Sequence, residues 1–336
     1  MKSVALLRDP ALPGLVQALN PEAMTPRLVS LACILEGKEW TAAPIHSVVE
    51  VEILKHTPGR RCALGYTLDG PVGKRRLFGK IFSGERGPST FEELGKISAA
   101  IPRENLLVPR PAGHFLDLRL LVTEYMEGRP LAPSLYEGMS DAPARHAAAA
   151  IAVLHSCEAR LARCWSTPRE LDNTDEWLSR SPVGSPASSG RAKTLLHLLR
   201  GRATRLPDAK KVPVHRDFYA EQVHDCGGRT TLLDLDDARL GDPALDVGNF
   251  LAHLKLRSLQ FPHLAHGCLR ARPAFLDEYR RRRQGSNGMV FAQRVAFYEA
   301  ASLLRLSGVY CLRQRWLEIL PEKLLNACEA VLDGRG

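Results

Sequence analysis

From Val212 to Leu254 the chain reads VPVHRDFYAEQVHDCGGRTTLLDLDDARLGDPALDVGNFLAHL, and no other stretch restricts the fold as much. Val212 and Val214 form an apolar strand end that runs into His215-Arg216-Asp217. Gln222 comes five residues later, followed by the turn Asp225-Cys226-Gly227-Gly228. Thr230 to Leu233 reads as a second short strand, and it delivers Asp234-Leu235-Asp236-Asp237. Two strands flanking Gly-Gly signal a tight hairpin, so the strand before His215 and the strand before Asp234 are expected to pair. That pairing would bring Asp217 and Asp234 to one end, with Gln222 nearby.

Crowded carboxylates repel each other, and a folded chain tolerates this mainly where a cation neutralises them. Oxygen donors with no Cys or His at ligand spacing suit a hard ion, Mg²⁺ above all. One carboxylate can then act as base on a hydroxyl while another, with an amide oxygen, holds the metal. Phosphoryl transfer needs that division of labour. A lone His-Arg-Asp is a weak signal, since Asp residues in turns commonly cap and solubilise. The ordered series favours the chemical reading: HxD, an amide five positions on, DxD seventeen on, then GDPxxD.

The series resembles the catalytic core of the aminoglycoside phosphotransferase and choline kinase-like family, a branch of the protein-kinase-like fold. That family's pattern is HxDxxxxN, then D-x-D/E, then GDPxxD opening a helix. The resemblance implies an α+β fold of two lobes, a small antiparallel-sheet N-lobe and a mostly helical C-lobe. It makes Asp217 the catalytic base, puts Gln222 at the metal-binding Asn position and makes Asp234 the main Mg²⁺ ligand, with Asp236 as an additional one. Asp246 would accept hydrogen bonds from the backbone of the His-Arg-Asp loop. Gln222 departs from the pattern, keeping the amide oxygen one methylene further out. The implied reaction moves the γ-phosphoryl group of ATP to a hydroxyl of a small molecule, such as an antibiotic, a sugar or an amino-alcohol.

On this reading residues 1–40 are an N-terminal helical extension, 41–123 the N-lobe, 124–129 the hinge and 130–336 the C-lobe. Pro10, Pro13, Pro21 and Pro26 are expected to break the extension into short helices. Alternation and turn residues predict strands over 48–54, 62–68 and 75–82, with turns at 56–61 and 69–73. By the resemblance, Lys80 on the third strand reaches the ATP phosphates. The spacing of Phe91, Leu94, Ile97 and Ile101 predicts a helix over 89–101, with a capping box from Ser89 to Glu92. Glu93 lies nearer that apolar stripe than Glu92 and is the expected partner of Lys80. Leu118 to Glu127 reads as a buried strand entering the hinge, where main-chain groups of Glu124 and Met126 would hold adenine. Residues 142–157 read as a helix ending in Leu154-His155, with His155 packing. The Ser/Pro/Gly-rich stretch 179–190 reads as a flexible loop. Helices are expected at 247–259, 273–283, 290–312 and 315–332.

Composition sets the remaining bounds. The 336 residues are 45% hydrophobic, enough for real cores. No run of about eighteen apolar residues suggests a membrane span, and the N-terminus makes a poor signal peptide. The eight cysteines form no CxxC pair and read as reduced thiols in a cytoplasmic protein. A net charge of +9 suits nucleotide phosphates. Much of the excess sits at Arg280 to Arg283, on a helix end where its dipole is satisfied, which disfavours nucleic acid as a partner. Nothing in the sequence sets the oligomeric state. Two rivals remain. A peptide acceptor lacks room, because Asp246 follows Asp234 by only twelve positions. A nucleotide-binding pseudokinase scaffold is suggested by Gln222 and by a phosphate lid with the single Gly59. The acceptor pocket is expected beside Tyr219, Glu221, Asp237 and Trp316. A net-positive chain makes cationic aminoglycosides the less natural acceptors.

Overall fold

The computed structural model describes residues 8–36, 47–70, 73–283, 285–286 and 288–335. Parts of the expected 69–73 turn, of the N-terminal extension and of the turn after Arg283 lie outside these residues. The chain divides into two compact units, Met1–Ala99 with Val108–Glu127, and Ala100–Leu107 with Gly128–Gly336.

In the first unit, α1 (Leu15–Ala18) and α2 (Pro21–Glu36) precede β1 (Ser47–Thr57), β2 (Arg61–Asp69) and β3 (Arg75–Phe82). Then come α3 (Gly87–Ala100), β4 (Pro111–Phe115) and β5 (Leu120–Glu124). The strands make one antiparallel sheet in the order β1-β2-β3-β5-β4. Its apolar side, including Leu64, Tyr66, Leu68, Ile81 and Val122, shares a core with Leu12, Leu15, Met24 and Leu28. Hydrogen bonds tie the helices on: the Tyr66 hydroxyl donates to the Ala18 carbonyl at 3.0 Å, and the Val48 N–H to Thr25 Oγ1 at 3.0 Å.

Two local expectations fail here. Helix α2 continues through Pro26, because burying Met24 and Leu28 outweighs the single i→i−4 bond that proline removes. Helix α3 starts at Gly87, ahead of the expected cap. The Ser89 hydroxyl donates to the Arg86 carbonyl at 3.0 Å, which is not the bond of a capping residue. Strand β4 was not anticipated, and the expected strand 118–127 is confined to β5.

The second unit is mostly helical: β6 (Arg129–Pro130), α4 (Ala132–Glu137), α5 (Ala142–Ser156), α6 (Thr167–Ser179), α7 (Gly190–Ala203) and β7 (Val212–Val214). It continues with β8 (Val223–Cys226), β9 (Arg229–Leu232), β10 (Arg239–Gly241), α8 (Ala244–Gln260), α9 (Ala265–Arg282), α10 (Met289–Cys311) and α11 (Leu320–Leu332). The hairpin is not the expected one. Gly227 and Gly228, at φ 60° and 82°, close a two-residue turn that pairs β9 with the strand just before it, β8. Strand β7 pairs with β10 instead. Both sheets lie in this unit, and Asp217 still follows β7 while Asp234 follows β9.

Helix α9 begins at Ala265, eight residues before the expected start, and Pro273 sits inside it. Buried Cys268, Ala271, Ala274 and Phe275 on either side of the proline hold the two turns in line. Helix α11 begins at Leu320, with Pro321 in its first turn where a missing N–H costs nothing. The 179–190 stretch contains a 3-10 turn over Pro186–Ser188, capped by Ser185 Oγ, with Ala187 buried. No helix among the described residues is long and apolar enough to cross a membrane.

Helices α8 and α10 approach closely at Gly248, where an added Cβ would stand 2.6 Å from the Glu299 nitrogen and 2.8 Å from the Tyr298 carbonyl carbon. Gly201, inside α7, faces open space. Gly248→Ala should therefore destabilise the protein by roughly 1–3 kcal/mol through overpacking. Gly201→Ala should stabilise it by about 0.4–1 kcal/mol by restricting the unfolded chain. Urea unfolding of the two variants checks both signs.

Candidate active site

Asp246, in the first turn of α8, is fully buried and accepts from three donors. Its Oδ2 takes the His215 backbone N–H at 2.7 Å and His155 Nε2–H at 2.9 Å, and its Oδ1 takes the Arg216 backbone N–H at 2.7 Å. Charge-assisted bonds of this kind are the strong ones. His155 Nδ1 in turn accepts from the Tyr279 hydroxyl at 2.7 Å, and burial pushes its imidazole down, toward the neutral form. The expected role of Asp246 as backbone acceptor is thus present, and His155 is part of the same network.

The loop held this way is strained. Arg216 has φ 72° and Asp234 has φ 56°, both left-handed conformations that a non-glycine residue adopts at a cost of about 1–3 kcal/mol. His215 links the two positions. Its Nδ1 accepts the Asp217 N–H at 3.3 Å and its Nε2 bonds the Leu233 carbonyl at 2.7 Å, which fixes the orientation of the ring. Leu233 N–H donates to the Gln222 carbonyl at 2.9 Å. Asp217, Gln222 and Asp234 are therefore joined by three short bridges within one unit. Burial pushes the Asp217 carboxyl up, and the carboxylates of Asp234 and Asp237 add to the rise. Arg305 and His215 oppose it. Phe218, the next residue, is anchored in a ring stack with Phe250 and Phe275, at centroid distances of 5.3 Å and 6.2 Å.

Gln222 and Asp236 are both buried, in 3-10 turns that open β8 and follow Asp234. Among the described residues no three acidic, His or Cys side chains form a closed metal cage. Two carboxylates plus an amide oxygen make an open set of hard donors, and this fits Mg²⁺, which keeps waters and phosphate oxygens as its other ligands. The residue types fit the ion.

Four groups around Asp217 escaped the sequence reading. Arg305 Nη2 donates to Asn249 Oδ1 at 2.8 Å, and Asn249 Nδ2 donates to the Phe218 carbonyl at 3.0 Å. The Arg216 guanidinium lies 3.3 Å over the Trp165 ring, and Trp165 Nε1–H donates to buried Glu170 at 2.8 Å. His253 stacks on Tyr219 with centroids 4.5 Å apart. These contacts come from α6, the chain just before it, α8 and α10, and no local pattern announces them. Of the expected acceptor residues, Glu221 accepts the Tyr136 hydroxyl at 3.0 Å and pairs with Arg257. Arg257 lies over Phe261, which meets Trp316 edge-on at 5.6 Å. Asp237 faces Arg216 instead, at 3.8 Å.

In the first unit, Lys80 is buried on β3 between Ala63 and Leu121 of the flanking strands. Glu93 is buried on α3, while Glu92 is exposed, and Glu93 pairs with Lys96 at 3.3 Å. The Glu124 N–H donates to the Arg110 carbonyl at 2.8 Å, and its own carbonyl accepts the Thr123 hydroxyl at 3.2 Å. Met126 follows in irregular chain.

Two predictions follow from the second unit. Asp246→Asn keeps the shape but places an NH₂ group against N–H donors, and should cost about 1.5–3 kcal/mol in urea unfolding. Burial, with Arg305 of α10 and Arg257 of α8 adding, pushes the His253 imidazole down to about 3. The unfolded chain then binds a proton that the folded chain refuses, so stability is lost as pH falls from about 6.5 toward 3. His253→Phe, which keeps the ring against Tyr219, should flatten that acid limb by up to about 1.4 kcal/mol per pH unit. Equilibrium unfolding at a series of pH values measures it.

Comparison with known proteins bears on the fold and the family. The chain resembles, over 91% of its own length and 93% of the other, a choline/ethanolamine kinase family protein from Mesorhizobium loti, with 14% identity and a TM-score of 0.59. A thermostable aminoglycoside phosphotransferase in ternary complex with AMP-PNP and hygromycin B gives 16% identity over 85% and 94% of the two chains, with a TM-score of 0.60. An amicoumacin kinase in complex with AMP-PNP and Ca²⁺ gives 14% over 82% and 88%, with a TM-score of 0.62. These likenesses establish a shared kinase fold. No curated protein sequence matches. The profile of the phosphotransferase enzyme family matches residues 69–291, about two thirds of the chain. On that match the chain belongs to the phosphotransferase enzyme family.

Proposed function

We propose that the protein is an ATP-dependent O-phosphotransferase that moves the γ-phosphoryl group to a hydroxyl of a small molecule. One observation carries this reading: His215 joins the Asp217 N–H to the carbonyl of Leu233, the residue before Asp234. The carboxylates of Asp217 and Asp234 are close enough to raise Asp217. The amphitheatre of relatives is also consistent, since structures of the same fold carry AMP-PNP, in one case with hygromycin B.

In this mechanism Asp217 takes the proton of the acceptor hydroxyl as the acceptor oxygen bonds to the γ-phosphorus. The bond to the bridging oxygen breaks and ADP leaves. Gln222, Asp234 and Asp236 would hold Mg²⁺, which supplies neutralisation of phosphate charge when bound. Lys80, oriented by Glu93, adds a cation for the phosphates, and main-chain groups of Glu124 and Met126 take the adenine. Little covalent work falls to the protein, so positioning and electrostatics supply most of the rate. The raised Asp217 carboxyl suits a base that must accept a proton and release it again. A small acceptor is favoured over a peptide because most of the chain between Asp234 and Asp246 is already used. Residues 235–237 form a 3-10 turn, and 239–241 pair with β7. Free thiols at the described cysteines suit a cytoplasmic setting.

The test is ADP release across antibiotics, sugars and amino-alcohols. With a productive acceptor, Asp217→Asn should lower kcat by about 10²–10⁴ while AMP-PNP still raises the melting temperature. Gln222→Ala should raise the Mg²⁺ needed for half-maximal rate by roughly tenfold or more. Retained turnover in Asp217→Asn would remove the base from this scheme.

A further inference from the structure

Three buried nitrogens gathered around Asp217 have nothing to bond. Arg216 Nε, Arg305 Nε and His253 Nε2 are shut off from solvent, and none has a hydrogen-bond partner among the described residues. They come from three different elements, the loop after β7, α10 and α8, and each is fixed to a residue beside Asp217. Arg216 precedes it directly. Arg305 reaches the Phe218 carbonyl through Asn249, by bonds of 2.8 Å and 3.0 Å. His253 lies flat on Tyr219, the rings 14° from parallel. Buried donors without acceptors are rare because they lose water and gain nothing in exchange. Three of the eight such atoms among the described residues belong to residues next to, bonded to or stacked on the segment from Asp217 to Tyr219.

Apart from Asp217 and the proposed metal ligands Asp234 and Asp236, the carboxylates of this region are already committed. Glu170 takes Trp165 Nε1–H at 2.8 Å and stands 3.7 Å from Arg305 Nε, beyond hydrogen-bond reach. Glu221 holds Tyr136 and Arg257, and Asp237 faces Arg216. Beyond those three acids, an ammonium group on the acceptor would meet Arg216, Arg257 and Arg305, whereas an oxyanion would meet the unpartnered nitrogens of Arg216, Arg305 and His253. This difference decides the chemistry.

We propose that Arg216, Arg305 and His253 receive an oxyanion carried by the acceptor, a carboxylate or a phosphate ester, so that the molecule phosphorylated is a hydroxy acid or a sugar phosphate and not a polycation. The inference rests on the reading of Asp217 as the group that takes the acceptor's hydroxyl proton. Arg305 acts as a specificity-determining residue, and it lies beyond the segment matched by the family profile. The transfer step itself is unchanged.

The experiment uses the full chain with Mg²⁺ and AMP-PNP and reads the melting temperature against matched probes. Glycerate and glycerol 3-phosphate are compared with glycerol, gluconate with glucose, and hygromycin B serves as the cationic arm. The oxyanion-bearing probes should raise the melting temperature, and the neutral and cationic ones should not. The carboxylate and phosphate arms identify which oxyanion the site prefers. Arg305→Met should abolish the shift and Arg305→Lys should retain part of it. His253→Phe, which keeps the stack on Tyr219, should weaken oxyanion binding roughly threefold to tenfold, so the proposal stays testable even if Arg305 variants fail to fold. Equal or larger shifts with glycerol, glucose or hygromycin B overturn it, and so does the lack of any shift with the oxyanions. ADP release with ATP and the same probes separates the two readings. Oxyanion binding without turnover sinks phosphotransfer and leaves the anion site standing. Turnover of neutral or cationic probes alone does the reverse.

Discussion

A single buried carboxylate, that of Asp246, holds the His215-Arg216-Asp217 loop in shape. It lies in the first turn of α8, where the helix dipole favours negative charge, and directed N–H groups converge on it. Two of those groups belong to consecutive residues, His215 and Arg216, so the carboxylate fixes the direction of the chain as well as its place. That grip accounts for the left-handed backbone at Arg216, which an unrestrained loop would relax. Through His155 and Tyr279 the same carboxylate ties the loop to α5 and α9. A loop anchored to three helices can carry a strained residue and still present Asp217 in one orientation.

Strain and charge are concentrated together. Of the three left-handed non-glycine residues among the described residues, Arg119 lies in the first unit, while Arg216 immediately precedes Asp217 and the third is Asp234 itself, and His215 bridges these two segments. Around it, guanidinium groups alternate with carboxylates: Arg216 with Asp237, Arg305 with Glu170, Arg257 with Glu221. Such alternation keeps several acids close without requiring each to be protonated, although burial still pushes the carboxyls of Asp217 and Glu170 up.

The sequence disclosed the chemistry better than the connections. HxD, Gln222, DxD and GDPxxD identified the loop, and the expected backbone bonds of Asp246 are present, because those roles require particular residue types at fixed separations. Strand pairing was misread: a Gly-Gly turn specifies only the two strands it joins, and the partner of β7 is chosen by tertiary packing. Pro26 and Pro273 misled for a similar reason, since local propensity yields where buried neighbours hold the helix. Trp165, Glu170, His253 and Arg305 carry no motif at all. Each matters only through what it touches, and contacts over such separations leave no periodic trace.

That last group shows how one chain divides its work. The residues that position Asp217 and its neighbours lie within positions 69–291, the span of the family profile, while Arg305 lies on α10 beyond it. Yet Arg305 is not independent of the core, for it bonds Asn249, three residues after Asp246 on the same helix, and Asn249 bonds the Phe218 carbonyl. Helix α8 therefore serves two purposes. Its first turn clamps the loop through Asp246, and its next turn connects that loop to the groups proposed to choose the acceptor. Gly248, between the two, lets α10 come close enough for the connection to form. A change in acceptor chemistry could then be made on α10 without disturbing the clamp, provided the Asn249 amide kept a partner for its oxygen.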